Sequence, residues 1–386
     1  MSLTSRRLQT MLMGIAVAST ILIVGCGGGM NAAAYHAQGQ QQFSQYDCNS
    51  NASFKKAADM EFEKEGDWYP IYMLDLALAR VYCDSAADAI KAFQTVDQFV
   101  VKKSDRSAIT KGVEFIKSKN KQLYELTERE ETLLHYYMGF ANYQIGNDED
   151  AMVELKKVDY IAEGTYSKLP LSALMRGLVY LKLGERDNAV VAFRQMMEKN
   201  PKSTLGYKLA ILNEPQESQR DFFKRSMKEN TGIDFIEPPS GTKPMVVIVD
   251  LGWKIELPKE SIHFTLTDNE TEAAFVDVVD PDFDFGKFAG KFLSNAASYV
   301  GRSVAKNAIS RSIPFFGGIV GNALLGDESS DARKWQTVPI LYFGDVLYLD
   351  EGAHDLTIRY YKGDEKKAER ITTIQRNEND VLVVRF

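Results

Sequence analysis

Three cysteines and four histidines hold most of this sequence's capacity for nucleophilic or metal chemistry, and their spacing limits what they can do. His36, His135, His263 and His354 fall in four separate stretches, with no spacing that would bring two of them to one metal. Cys48 and Cys83 stand in no Cys-x-x-Cys or helix-start setting that would lower a thiol pKa. They form an even pair once Cys26 is set apart, which makes a disulfide one reading and two buried thiols the other. Asp280, Asp282 and Asp284 alternate like the first ligands of a calcium loop, but the sixth position is not Gly and Lys291 stands at the twelfth. A turn that sets negative charge at the start of a following helix fits them better. No Gly-x-Ser-x-Gly elbow, phosphate loop or dinucleotide fingerprint occurs. The expectation is a protein that is not an enzyme and holds no cofactor or metal.

Cys26 has a different setting. Arg6-Arg7 precede an apolar run of about 17 residues that ends at Ile23-Val24-Gly25-Cys26, the make-up of a secretory signal peptide. Its last four residues resemble the bacterial lipobox. The resemblance implies that Cys26 receives a diacylglycerol, that cleavage exposes its amine, and that the amine is acylated in turn. An ordinary cleaved signal or a short membrane anchor are the alternatives. Several acyl chains hold a protein stably where one holds it reversibly. Gly27 follows the cysteine where Asp would favour inner-membrane retention, so the periplasmic face of the outer membrane is expected. Residues 1–25 contain Arg6 and Arg7 and no acid; without them 44 basic face 53 acidic side chains, a net charge of −9. Such a chain is ill suited to nucleic acid.

The elements that position these residues divide the chain. Residues 26–45 are rich in Gly, Ala and Gln and read as a flexible tether. From 46 to 232 apolar residues recur at helical spacing. Between Pro170 and Ser203, Gly177, Tyr180, Gly184, Ala189, Phe193 and Pro201 fall on signature positions of the 34-residue tetratricopeptide repeat, which this unit resembles. Residues 132–165 repeat the pattern with Gly139, Tyr143, Gly146, Ala151 and Leu155, and 70–103 keep Ala77, Ala89 and Phe93. A charged insertion at 104–131 has room for one helix, and 204–230 read as a closing helix. Stacked helical hairpins usually bind protein. Residues 233–243 form a Pro-containing linker, and 244–386 alternate with period two over eight short segments, the mark of an antiparallel β-sandwich.

The sandwich is interrupted at 285–326. On a helix, Lys287, Lys291 and Arg302 share a face opposite Phe292 and Tyr299, and from 285 to 326 there are five basic residues and no acid. This stretch either lays its apolar face on the sandwich or meets a membrane or a partner's groove. Next come Asp331-Ala-Arg-Lys-Trp-Gln-Thr-Val-Pro339 and Leu349-Asp-Glu-Gly-Ala-His354. Asp331, Arg333 and Trp335 alternate onto one face, either as an ion pair and aromatic anchor or as an interaction patch. With Met245 to Trp253, these stretches resemble a family of uncharacterised bacterial lipoproteins with tetratricopeptide-like repeats, over residues 45–386. The resemblance implies a role in envelope assembly. The fold expected is α+β and multidomain, with the repeat domain first and the sandwich, carrying its inserted amphipathic helix, second. The partners expected are an envelope protein bound by the repeats and the membrane through lipid on Cys26.

Overall fold

A computed structural model of the chain describes residues 30–83, 85–97, 99–101, 124–161, 170–199, 201, 204–251, 262–268, 271–275, 335, 337–338, 341–362, 365–375 and 381–385. Among them are ten helices in five hairpins: α1 (Ala32–Phe43) with α2 (Ser50–Glu63), α3 (Tyr69–Tyr82) with α4 (Ala86–Asp97), α5 (Glu128–Gln144) with α6 (Asp148–Ile161), α7 (Pro170–Lys182) with α8 (Arg186–Lys199), and α9 (Thr204–Asn213) with α10 (Glu217–Thr231). Each hairpin also packs on the next.

One small-against-large contact recurs through the stack. A Cβ on Gly177 would come within 2.2 Å of the Phe193 ring, and one on Gly139 within 2.7 Å of Leu155. Gly39 meets Phe54 the same way, at 2.7 Å. The tether expected at 26–45 is therefore corrected from Ala32 onward. Asn31 caps α1 by accepting the Ala34 amide at 2.9 Å, and burial of Phe43 and Phe54 outweighs the weak helix preference of the Gln- and Gly-rich sequence. Gly146 and Gly184 turn α5 into α6 and α7 into α8 at φ of 79° and 76°, a conformation in which a side chain is strained. α5 begins at Glu128, four residues ahead of the expected unit, because Thr127 and Glu130 close a capping box.

Nine strands accompany the helices among the described residues. β1 (Val100–Val101) and β2 (Tyr124–Glu125) make a two-residue parallel bridge beside α4. β3 (Lys243–Leu251), β6 (Leu341–Leu349) and β9 (Val381–Arg385) form one sheet in the order β6-β3-β9. β4 (Ile262–Asp268), β5 (Thr271–Phe275), β7 (Ala353–Lys362) and β8 (Glu365–Gln375) form another, β5-β4-β7-β8.

Two features depart from the expected arrangement. β3 pairs antiparallel with β6, Met245 opposite Leu347, but parallel with β9, Ile248 opposite Val383. A parallel neighbour needs a long crossover, here everything between Leu251 and Val381. The first sheet also lies against the helices, so the two regions share one core: Val246, Ile248, Tyr342 and Val346 are continuous with the helical apolar residues. Met245, Val247 and Val249, on the opposite face of β3, are buried too. Burial on both faces explains why Met-Val-Val-Ile-Val reads as an unbroken apolar run.

Candidate functional site

The face to consider first is the one built by the leading helices of successive hairpins, where a stack of this kind would take a ligand. α3 packs beside α5, and α5 beside α7. Their sequences set polar groups inside apolar helices, and each of these groups meets the C-terminal part of the chain. Tyr82 of α3 donates to Asp250 of β3 and shares a hydroxyl contact of 3.1 Å with Tyr137 of α5. Tyr137 in turn meets the Tyr342 hydroxyl of β6 at 2.9 Å. Asp75 of α3 is wholly buried between Thr337, which donates to it at 2.5 Å, and the His36 Nε2, also at 2.5 Å.

Glu130 does more than cap a helix. Its Oε2 closes the capping box, while its Oε1 accepts from the Tyr124 hydroxyl at 2.7 Å and from the Trp335 amide at 2.8 Å. Trp335 then fits between Phe93 and Tyr137, with ring centroids 6.3 and 6.4 Å away. At the far end Lys208 of α9 donates to Asp345 of β6 at 2.5 Å. Burial pushes the Asp345 carboxyl up, against the opposing pull of Lys208 and the Val346 amide.

Trp335 is 2% exposed and packed between Phe93 and Tyr137, which fits the aromatic anchor rather than the interaction patch of the two readings made from sequence. Asp331, Arg333, Cys26, the Asp280–Asp284 cluster and the amphipathic residues Lys287, Lys291, Phe292, Tyr299 and Arg302 lie outside the described residues. The structure joins Cys48 to Cys83 in a disulfide with Cα atoms 5.7 Å apart, fastening the α1–α2 loop to the end of α3. His135 is buried against Glu154 at 2.6 Å; burial alone would raise the Glu154 carboxyl, but hydrogen bonds from His135 and Lys157 hold it below the usual range. No group of three metal-binding side chains occurs among the described residues, and no described helix is long and apolar enough to cross a membrane.

Asp75, Tyr82, Glu130, Tyr137, Asp250 and Tyr342 were not singled out by sequence. A signal existed: Asp75 interrupts Tyr-Met-Leu-Asp-Leu-Ala-Leu and Asp250 ends an apolar strand, and an acid in such a run needs a partner.

Residues 172–203, spanning most of α7 and α8, match the tetratricopeptide repeat family. The helical region is tetratricopeptide-like. No curated protein matches the chain. Among solved structures, the MamA protein is 16% identical over 52% of this chain and 91% of its own, with a TM-score of 0.37. The TPR2AB domain of yeast Sti1, solved in its pHSP90 complex, is 13% identical over 52% of this chain and 77% of its own, with a TM-score of 0.23.

Proposed function

We propose that this chain is a lipid-anchored scaffold of the bacterial envelope that holds another envelope protein, and that it is not an enzyme. The observation that carries the reading is the stack of five hairpins between Ala32 and Thr231, of which 172–203 match the tetratricopeptide repeat. Such stacks present extended surfaces built for protein recognition. The Ile23-Val24-Gly25-Cys26 stretch supports acylation of Cys26 and residence at the periplasmic face of the outer membrane. The Cys48–Cys83 bond supports an oxidising compartment. In this reading the two sheets close on each other as a sandwich that braces the stack.

The chain's own strands cover much of the leading-helix face, so a partner engages the outer helices. Val153 of α6 and Val191 of α8 are 53% and 51% exposed, and they stand at equivalent positions of successive repeats. A tether raises the local concentration of partners, so modest affinity at such a surface suffices.

The test is photocrosslinking in cells from probes at 153, 191 and, as an internal control, 342. Capture of one discrete envelope protein from 153 and 191 and none from 342 is the expected result. Absence of any discrete product from the outer positions overturns the scaffold reading. Loss of acyl labelling and of leader cleavage in Cys26→Ser tests the anchor separately.

A further inference from the structure

A cavity of about 540 Å³ opens where the start of α1 meets the α2–α3 connection, lined by Asn31, Ala32, His36, Glu61, Lys64, Trp68 and Tyr72 among others. Its wall is an aromatic stack: the Tyr72 ring lies between His36, 4.2 Å away at 25°, and Trp68, 6.3 Å away at 27°. Tyr72 and Ile71 are buried, whereas Trp68 is 40% exposed and forms the lip.

Two opposite charges share this wall without using each other. Glu61 and Lys64 are three residues apart at the end of α2, and among the described residues neither enters an ion pair. Glu61 is held in place by the Trp68 amide at 3.3 Å. Its charge is felt inside the cavity: burial first, then Glu61 and Asp75, push the Tyr72 hydroxyl up to about 12. Lys64 lines the same cavity as Asn31, Ala32 and Ala33 at the start of α1, where the Asn31 side chain takes the Ala34 amide and the Ala32 and Ala33 amides have no partner within the helix.

We propose that this cavity binds a zwitterionic phosphoamine, a phosphate and an ammonium joined by a short carbon link, as in a phosphoethanolamine lipid headgroup or its soluble ester. The ammonium stacks on the exposed Trp68 ring beside Glu61, an aromatic and carboxylate setting that attracts cations. The phosphate meets Lys64 and the α1 amides. Residues three apart on a helix hold their Cβ atoms about 5–6 Å apart, a span comparable with two charges separated by two carbons. The volume lies within the usual range of roughly 300–1,000 Å³ for small-molecule sites. Cys26 precedes Ala32 by six residues, so an acylated Cys26 would leave this cavity within roughly 20 Å of the lipid surface.

The lipid source rests on the anchor proposed above; the cavity chemistry does not. The assay therefore uses the chain from residue 27 onward, which keeps every described residue and lacks both Cys26 and the apolar leader, so failure counts against the cavity alone. Isothermal titration with glycerophosphoethanolamine is expected to show saturable one-to-one binding, weakened at least tenfold by Trp68→Ala and by Lys64→Glu. Glycerol 3-phosphate and ethanolamine, each carrying half of the charge pattern, are expected to bind at least tenfold more weakly than the whole. Lys64 is exposed at a helix end, so Lys64→Glu folds and tests the charge without disturbing the core. No saturable heat with the parent chain, or affinity within twofold in both variants, overturns the proposal. Co-sedimentation with phosphatidylethanolamine–phosphatidylglycerol vesicles but not with phosphatidylglycerol vesicles identifies the lipid as the source. Binding of the soluble ester without co-sedimentation identifies the free phosphoamine, and either result upholds the site.

Discussion

Glu130 shows how one side chain ties distant parts of this chain together. Its carboxylate closes the capping box at Thr127 and takes hydrogen bonds from Tyr124 and from the Trp335 amide, 205 residues away. Glu130→Ala leaves those buried donors unsatisfied and is expected to cost about 3 kcal/mol, read from denaturant midpoints. Tyr137→Phe removes only the hydroxyl between Tyr82 and Tyr342 and is expected to cost about 1–2 kcal/mol. Glu154 gives a pH signature. Its carboxyl is depressed in the folded state, so its contribution is fully present above the unfolded value, near 4.5, and is lost as pH falls through the lower folded value. Glu154→Gln is expected to lower stability at pH 7 and to flatten the acid limb of the stability curve; a parallel downward shift at every pH would count against the pairing. The disulfide spans 35 residues, and Cys48→Ser with Cys83→Ser is expected to cost about 3–4 kcal/mol, matched by the parent chain under reductant.

Three of the five helix pairs approach by the same device, a residue without a side chain facing a large one. Gly177→Ala would put a methyl against the Phe193 ring, and overpacking of this kind typically costs about 1–3 kcal/mol. The expected result is a lower midpoint with unchanged helical circular dichroism. The same contact shows how far sequence could be read. At 170–203 six signature positions were present and at 132–165 five, and helical hairpins occur at both, the first helix of the earlier one starting at Glu128 rather than 132. The α1–α2 hairpin carries only the Gly39 and Phe54 contact inside a Gln-rich stretch, and composition outweighed that single pair. β3 was legible as a short apolar run, and β4 and β7 to β9 were legible because alternation survives in short windows. The parallel pairing of β3 with β9 was not legible, since nothing within Val381 to Arg385 specifies which edge it joins.

At the scale of the whole molecule, helices and strands form one core and are expected to unfold together. Circular dichroism and Trp fluorescence should report a single coincident transition; two separated transitions would show that the strands are an independent body. Deletion of residues 239–386 would uncover Asp75, Tyr82, Glu130 and Tyr137 at once, and the shortened chain is expected to bind a hydrophobic dye and to lose stability by more than any single substitution described here. The groups that close this interface, acids and tyrosines spaced along separate helices, were legible only as isolated oddities. Their pairing is set by contacts across 168 residues for Tyr82 with Asp250 and 262 for Asp75 with Thr337.

The position of β9 beside β3 also sets an order of events during synthesis. All ten described helices have been made by Thr231, yet the strand flanking β3 on its second edge is made only at Val381 to Arg385, about 150 residues later. A growing chain must therefore carry a partly bare helical face through most of its production, with Asp75 and Glu130 facing water or a chaperone. Products cut short anywhere before Val381 would present that unfinished sheet edge to proteases, giving the cell a simple test of whether the polypeptide has been made as far as β9.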